Sequence, residues 1–273
     1  MKAFHGGREV KEFPVHMCAR VHQFLLACLF SFVVGLNASA QQAPPKIEVG
    51  GRLRTFGELL RERNVELTEP ALLAALKSSD ANVRYLSAMK LAEDKVVGAV
   101  PAIKAALAAE SVPRDRTNIA LALGLLGDPS GRDELKRMCA DESFPSEFRL
   151  DAVRYMSDLG VERDEGCLHA AKDIAKLVDS GNRSVGDRVT AFELLARFRN
   201  LTSEESQSVF DLLLHGLNDP DPYVRMQASS AFATLGDRNA IPYLEAAISQ
   251  EKDENIRITL TINLKKLQQK TKR

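Results

Sequence analysis

An arginine that recurs at a nearly constant interval is the feature that most constrains the fold of this 273-residue chain. Its successive copies lie 32, 33, 39, 37 and 32 residues apart. The six positions are Arg84, Arg116, Arg149, Arg188, Arg225 and Arg257. Such intervals are typical of repeated helical hairpins, because one hairpin cannot bury its apolar face alone and stacks on its neighbours. The chain is therefore predicted to be all-α and to contain about six stacked two-helix repeats.

Apolar residues at fixed distances from these arginines support the same interpretation. The residue seven positions later is large and apolar in all six copies: Leu91, Leu123, Met156, Leu195, Phe232 and Leu264. Because such offsets fall on one side of an α-helix, each arginine is predicted to begin the second helix of a hairpin, the B helix. The predicted A and B helices span residues 69–78 and 82–93, 98–109 and 114–127, 130–140 and 146–159, 163–179 and 185–199, 203–217 and 222–236, and 239–250 and 254–270.

One unit, residues 217–248, shows the repeat most clearly. Its marks are Asp219-Pro220-Asp221-Pro222-Tyr223-Val224-Arg225, Ala228, Ala231, Leu235-Gly236-Asp237 and Ala240-Ile241-Pro242. These residues resemble the HEAT-like repeat family, in particular the short bacterial type that is also found in phycobilisome lyases. The resemblance covers residues 69 to 270 and implies a right-handed α-solenoid of HEAT-like repeats. Because that family mostly supplies scaffolds, the resemblance indicates a fold more specifically than an activity.

The first forty residues have the pattern of a secretory signal peptide. Arg20 precedes an apolar run over residues 24–36, and Ala38-Ser39-Ala40 follows the run. The run is too short for an ordinary membrane span, and small residues before the cut are typical of signal peptides. Cleavage after Ala40 is expected, which predicts a periplasmic or secreted protein; an uncleaved anchor is the alternative. Met17 stands directly before the pattern and is an alternative start of the chain.

Two short segments are predicted between the signal peptide and the repeats. Residues 41–54 are predicted to be a flexible linker, because Pro44-Pro45 and Gly50-Gly51 interrupt regular structure. Residues 55–67 are predicted to form a capping helix that begins at Thr55 and covers the open apolar end of the first repeat. The solenoid itself is predicted over residues 68–273.

The charge balance narrows the class of partner. The chain has 37 basic and 37 acidic residues, so there is no electrostatic case for binding nucleic acid. After residue 40 no apolar stretch is long enough to span a bilayer. The predicted partner is therefore a protein or peptide, with no nucleic acid and no stable membrane span in the mature chain.

Signatures of catalysis are missing from the sequence. After residue 40 the histidines are His169 and His215, and neither is followed by Glu. Deoxyhypusine hydroxylases belong to the branch of this superfamily that holds iron with His-Glu pairs, so the lack of such pairs argues against that chemistry. No Gly-rich phosphate loop, nucleophile elbow or Cys-x-x-Cys motif occurs. The chain is predicted to be non-catalytic, with no cofactor and no metal.

Cys139 and Cys167 are the cysteines that remain after the predicted cleavage. An even number of cysteines in an exported protein favours a disulfide. Geometry argues against it, because Cys139 is placed at the end of one A helix and Cys167 at the start of the next, and consecutive A helices run parallel. About ten residues of helix, roughly 15 Å, would separate the thiols. Two free, buried thiols are therefore predicted.

Each recurring arginine has an acidic residue shortly before it in the sequence. These residues are Asp80, Asp115, Glu147, Asp187, Asp221 and Asp253. Guanidinium groups pair well with carboxylates and with the carbonyl groups of turns. The arginines are therefore predicted to form a structural ladder along the stack, in preference to a row that binds phosphate or substrate.

The B helices of HEAT-type solenoids line the concave side, which predicts where a partner binds. The positions two, five and nine residues after each arginine point away from the buried stripe. The candidate partner-binding residues among them are Leu86, Met89, Leu121, Leu125, Arg154 and Arg197. The four apolar residues predict an exposed apolar patch, unless residues 56–67 fold back over them or they belong to the core. The charged residues predict a mixed-charge middle that pairs internally.

Two functions from different classes remain open. The favoured one is an exported, non-catalytic adaptor that binds a protein or peptide through the concave face. The alternative is a small-ligand carrier similar to the phycobilin lyases, or an accessory subunit of a separately encoded enzyme.

Overall fold

The computed structural model describes residues 46–49, 52–177 and 182–270. Within them, two antiparallel strands, β1 (Lys46–Val49) and β2 (Arg52–Thr55), precede thirteen α-helices. The helices are α1 (Phe56–Arg61), α2 (Glu69–Ala75), α3 (Ala81–Glu93), α4 (Val100–Ala109), α5 (Pro113–Leu125), α6 (Pro129–Ala140), α7 (Ser146–Asp158), α8 (Glu165–Ala175), α9 (Asn182–Leu195), α10 (Ser203–Leu217), α11 (Pro222–Leu235), α12 (Ile241–Gln250) and α13 (Glu254–Lys270). Short 3₁₀ turns over Val97–Ala99 and Arg238–Ala240 lead into α4 and α12.

The helices from α2 to α13 form six hairpins, each with an A helix followed by a B helix. Each A helix packs on the B helix of its own hairpin, and each B helix packs on the next B helix along the chain. The B helices, α3, α5, α7, α9, α11 and α13, therefore form one layer of the stack. The predicted all-α solenoid of two-helix repeats is confirmed, and the predicted helix boundaries lie close to the observed ones.

Local sequence signals explain where helix α11 begins and ends. The Asp221 side chain accepts hydrogen bonds from the backbone N–H groups of Tyr223 and Val224, two donors that have no partner within the helix. Pro222 occupies the first turn, where its missing N–H removes no hydrogen bond. Gly236 follows the helix with a φ of 79°, a conformation that residues with a side chain rarely adopt.

The core consists of apolar side chains between the A and B helices. Of the six apolar residues that follow the recurring arginines by seven positions, five are buried: Leu91, Leu123, Met156, Leu195 and Phe232. Helices α5 and α6 approach each other closely at Gly131. A Cβ added there would lie 2.4 Å from the Ala120 carbonyl oxygen and 2.5 Å from the Gly124 nitrogen. The contact between these two helices therefore requires glycine.

The predicted flexible linker needs a correction. Residues 46–49 and 52–55 pair as an antiparallel hairpin, with Ile47 opposite Arg54. The strands are separated in the sequence by Gly50-Gly51, a pair that favours a two-residue hairpin connection, so the signal was present in the sequence. The predicted signal peptide over residues 1–40 lies outside the described residues, as do residues 41–45, 50 and 51. Among the described helices, none has both the length and the apolar character needed to cross a lipid bilayer.

Helix α1 lies at the N-terminal end of the stack. The Thr55 side chain accepts a hydrogen bond from the Glu58 backbone N–H, and the Glu58 carboxylate accepts one from the Thr55 backbone N–H. This reciprocal capping box begins the helix. Phe56, Leu59 and Leu60 are buried, and α1 packs against α3. The helix therefore covers the apolar surface that the first hairpin would otherwise expose.

The prediction of two free thiols is wrong, because Cys139 and Cys167 form a disulfide with their Cα atoms 4.8 Å apart. A stagger between two A helices explains the difference. Cys139 is the second-to-last residue of α6, and Cys167 is the third residue of α8. An added Cβ at Gly166 would lie 3.5 Å from the Ala140 Cβ, so α8 begins beside the end of α6. Helices aligned in register would have kept the thiols apart, whereas the stagger brings them together.

Candidate partner-binding face

The predicted apolar patch on the B helices is largely buried. The exposed fractions are 1% for Leu86, 8% for Met89 and 8% for Leu121, and only Leu125, at 51%, is exposed. Leu86 and Met89 belong to α3, on which α1 packs, and Leu121 belongs to α5, which lies between α3 and α7. Leu86, Met89 and Leu121 are therefore part of the core. The sequence pattern did not distinguish these core positions from exposed ones.

The mixed-charge middle lies between α7 and α9 and pairs internally. Arg197 lies 2.9 Å from Glu193 and 3.3 Å from Asp158. Arg154 approaches the same Glu193 at 3.9 Å. The side chains of Arg154 and Arg197 are 30% and 36% exposed. Because about a third of each side chain is exposed, these two arginines are accessible to a partner. Paired surface charges of this kind add little stability.

A row of polar and aromatic side chains crosses α3, α5 and α7. The Arg114 guanidinium lies 5.5 Å from the centre of the Tyr85 ring, and the Tyr155 hydroxyl donates a hydrogen bond of 2.8 Å to the Asn118 side chain. Burial raises the pKa of both tyrosines above the ordinary value. We call Tyr85, Arg114, Asn118 and Tyr155 the polar row.

Sequence reasoning missed most of the polar row. Tyr85 stands one position after its arginine and Tyr155 stands six positions after its arginine, whereas the candidate positions were two, five and nine. Asn118 occupies one of those positions but was not chosen as a candidate. The rarity of tyrosine was the available signal, because two of the four tyrosines in the chain lie in this row.

Arg225 shows how the recurring arginines act. It donates hydrogen bonds to the carbonyl oxygens of Asp219, at 2.8 Å, and Pro220, at 3.0 Å. It also holds both carboxylate oxygens of Glu251, at 2.7 and 2.9 Å. Arg225 therefore joins the turn before its own B helix to the turn before the next B helix. We call this arrangement the arginine latch.

The first repeat contains the same latch. Arg84 donates to the carbonyl oxygens of Ser78 and Ser79, at 2.9 and 3.2 Å, and to Glu110, at 2.8 Å. The other recurring arginines have their own partners: Arg116 with Glu134 at 2.5 Å, Arg149 with the Cys139 carbonyl at 3.0 Å, Arg188 with Asp219, and Arg257 with Glu254. In none of these contacts is the partner the acidic residue that was predicted.

Four of the acidic residues that precede these arginines have other partners. The side chains of Asp80, Asp221 and Asp253 accept hydrogen bonds from backbone N–H groups at the start of their B helices. Asp115 pairs with Arg114 at 2.8 Å. An acidic residue directly before a helix is in the position of an N-cap, so Asp80, Asp221 and Asp253 cap their helices and do not pair with the recurring arginines.

One group of residues in the described part of the chain has the composition of a metal site. Glu142, His169 and Asp173 each offer one ligand atom, and these atoms lie within 4.8 Å of one another. His169 and Asp173 are four residues apart on α8, and Glu142 follows α6. The spacing of the first two was visible in the sequence. The approach of Glu142 was not, because it depends on the stagger of α6 and α8.

A search with sequence descriptions of known families matches HEAT repeats over residues 69–157 and 172–265, more than half of the chain. This chain belongs to the HEAT-repeat family. The match covers the stack of hairpins on both sides of the α8 N-terminus. A comparison of this HEAT-repeat protein with curated proteins found no match in sequence.

Several solved structures are similar to this HEAT-repeat protein. Human deoxyhypusine hydroxylase in complex with glycerol is 15% identical over 78% of this chain and 77% of that one, with a TM-score of 0.38. An engineered protein is 18% identical over 78% and 60%, with a TM-score of 0.41. The complex of CpcE and CpcF of phycocyanin lyase from Nostoc sp. PCC7120 is 19% identical over 86% and 100%, with a TM-score of 0.35. Likenesses at this level do not extend to activity or ligands.

Proposed function

We propose that this HEAT-repeat protein is an exported, non-catalytic scaffold that binds an extended segment of a protein partner along its B helices. The polar row carries the proposal, because it continues through Arg154 into the mixed-charge middle and so runs from α3 to α9. Neighbouring helices pack about 8–10 Å apart, and an extended chain rises about 3.3 Å per residue. Each B helix therefore meets about every third residue of a bound segment.

The residue types of the row suit protein recognition. Tyrosine and arginine are enriched among the residues that contribute most to protein interfaces, because each combines a large contact area with hydrogen-bonding groups. The Tyr155 hydroxyl is already fixed by Asn118, so little side-chain freedom is lost when a partner binds.

Export is supported by two independent features. Residues 24–36 followed by Ala38-Ser39-Ala40 have the signal-peptide pattern. The Cys139–Cys167 disulfide is of a kind that persists in oxidising compartments and is rare in the cytosol.

Variants in the row test the proposal. Tyr155→Phe removes one hydroxyl and Arg154→Ala removes one guanidinium, and both leave the apolar core intact. We expect each variant to weaken binding of a partner captured from an envelope fraction by about tenfold or more, because central polar anchors dominate interface energetics. Affinity is measured by surface plasmon resonance, and the melting temperature is recorded in parallel.

Tyr243→Phe is the matched control, because Tyr243 lies on the A helix α12 and is 49% exposed. The control should bind like the wild type. Wild-type affinity in all three variants would contradict the proposal that the polar row binds the partner. An equal loss of affinity in all three variants would contradict it as well. The double variant Leu121→Asp with Met89→Asp is expected to unfold, because it places two carboxylates in the core; an exposed patch would have tolerated them.

A further inference from the structure

We propose that Glu142, His169 and Asp173 form a binding site for a divalent transition-metal ion of the zinc type. The site lies where the end of α6 meets α8, and it is independent of the proposed partner-binding face.

The geometry brings three ligands to one point from two segments of chain. His169 and Asp173 lie on the same face of α8 because they are four residues apart, and the His169 Nε2 is 2.8 Å from an Asp173 oxygen. Glu142 approaches from the segment after α6, and all three ligand atoms lie within 4.8 Å of one another. In a tetrahedral zinc site with bonds of about 2.0–2.2 Å, ligand atoms are about 3.3–3.6 Å apart. At 2.8 Å the His169 and Asp173 side chains are hydrogen-bonded, so the ion has to displace the proton between them, and small rotations of the side chains then bring the three ligand atoms to these distances.

The donor set selects the class of ion. One imidazole nitrogen and two carboxylate oxygens form a mixed set that suits zinc, and the two carboxylates neutralise the charge of a divalent ion. Three protein ligands leave one coordination position for water or for a group from a partner. The Lys176 ammonium lies 3.7 Å from Asp173 and competes with the ion for that carboxylate.

The neighbouring disulfide fixes the two segments that carry the ligands. Cys139 stands three residues before Glu142, and Cys167 stands two residues before His169. The cross-link holds their Cα atoms 4.8 Å apart, so Glu142 is kept close to α8 before the ion binds. Such preorganisation lowers the entropic cost of binding.

Titration of the full chain with Zn²⁺ by isothermal calorimetry tests the site. We expect Glu142→Gln, His169→Gln and Asp173→Asn each to lower the affinity by about tenfold or more, since even the loss of a group that supports a ligand costs 10–100-fold. His215→Gln is the matched control and should leave binding unchanged. His5, His16 and His22 are present in every variant, so their contribution cancels in the comparison.

A second readout depends on the folded protein. Zn²⁺ should raise the melting temperature of the wild type and of His215→Gln, but not that of His169→Gln, because an ion that binds only the native state stabilises it. Wild-type affinity retained in His169→Gln would overturn the proposal. A loss in His169→Gln alone, with Glu142→Gln and Asp173→Asn unaffected, would also overturn it, because a single histidine would then account for the binding.

Discussion

Arg225 shows at the residue scale what holds neighbouring repeats together. Its partner Glu251 has a side chain that is only 3% exposed, so Arg225→Ala leaves a buried carboxylate without its cation. We expect the free energy of unfolding to fall by about 2–3 kcal/mol, measured by urea denaturation. Arg257→Ala is the control, since Arg257 is 44% exposed and pairs with an exposed Glu254; it should change stability by less than about 0.5 kcal/mol. Equal losses of unfolding free energy in the two variants would show that the arginine latch stabilises the protein no more than an exposed ion pair does.

The same latch has a pH signature. Hydrogen bonding to Arg225 holds the pKa of Glu251 below its ordinary value, against the opposing effect of burial. A carboxyl group whose pKa is lower in the folded state contributes stability above its unfolded pKa, about 4.3, and this contribution is lost as the pH falls through the folded value. The stability gap between wild type and Arg225→Ala should therefore narrow below about pH 4, as measured by urea denaturation across a pH series.

Gly131 sets the distance between two helices. A Cβ at this position would meet the Ala120 carbonyl oxygen and the Gly124 nitrogen, and backbone atoms cannot rotate away as a side chain does. Gly131→Ala is expected to lower the free energy of unfolding by about 1–3 kcal/mol, again measured by urea denaturation. Gly98→Ala, which has open space around its Cβ, should be neutral or slightly stabilising. A neutral Gly131→Ala would show that α5 and α6 separate easily.

At the scale of elements, the disulfide between α6 and α8 has a measurable effect. It closes a loop across a sequence separation of 28 residues, which stabilises the protein by about 3–4 kcal/mol in the chain-entropy model. Reduction should lower the urea midpoint and raise the number of reactive thiols by two in denatured protein. The variant Cys139→Ser with Cys167→Ser should match the reduced protein. Two reactive thiols from Cys139 and Cys167 before reduction would contradict the cross-link.

The positions of the helices could be predicted from the sequence, but the way in which the helices pack against one another could be predicted only in part. The recurring arginines and the apolar residues seven positions later define every B helix, because helical periodicity is a local property. The disulfide and the approach of Glu142 to His169 were missed for one shared reason, the stagger of α6 and α8. Leu86 and Met89 lie on α3, against which α1 packs. Contacts of this kind are set by packing between elements and leave no periodic signal.

For the whole molecule, the proposed export makes a direct prediction. Protein isolated from the envelope or the medium should begin at Gln41, because the cut is expected after Ala40. N-terminal sequencing checks this, and an Ala40→Arg variant that keeps its N-terminus serves as the control, since small residues are needed at the cut. A wild-type protein that begins at Met1 or Met17 and remains membrane-bound would favour an uncleaved anchor.

The cross-link also determines how the molecule would carry mechanical tension. Helix α7 lies entirely between Cys139 and Cys167, so a force applied to the two ends of the chain passes directly from α6 to α8. Full extension of the oxidised protein would be shorter than that of the reduced protein by about 90 Å, given 28 residues at about 3.4 Å each less the 4.8 Å that separates the two Cα atoms of the cross-link. Among the B helices, α7 alone would lie outside the path of the load.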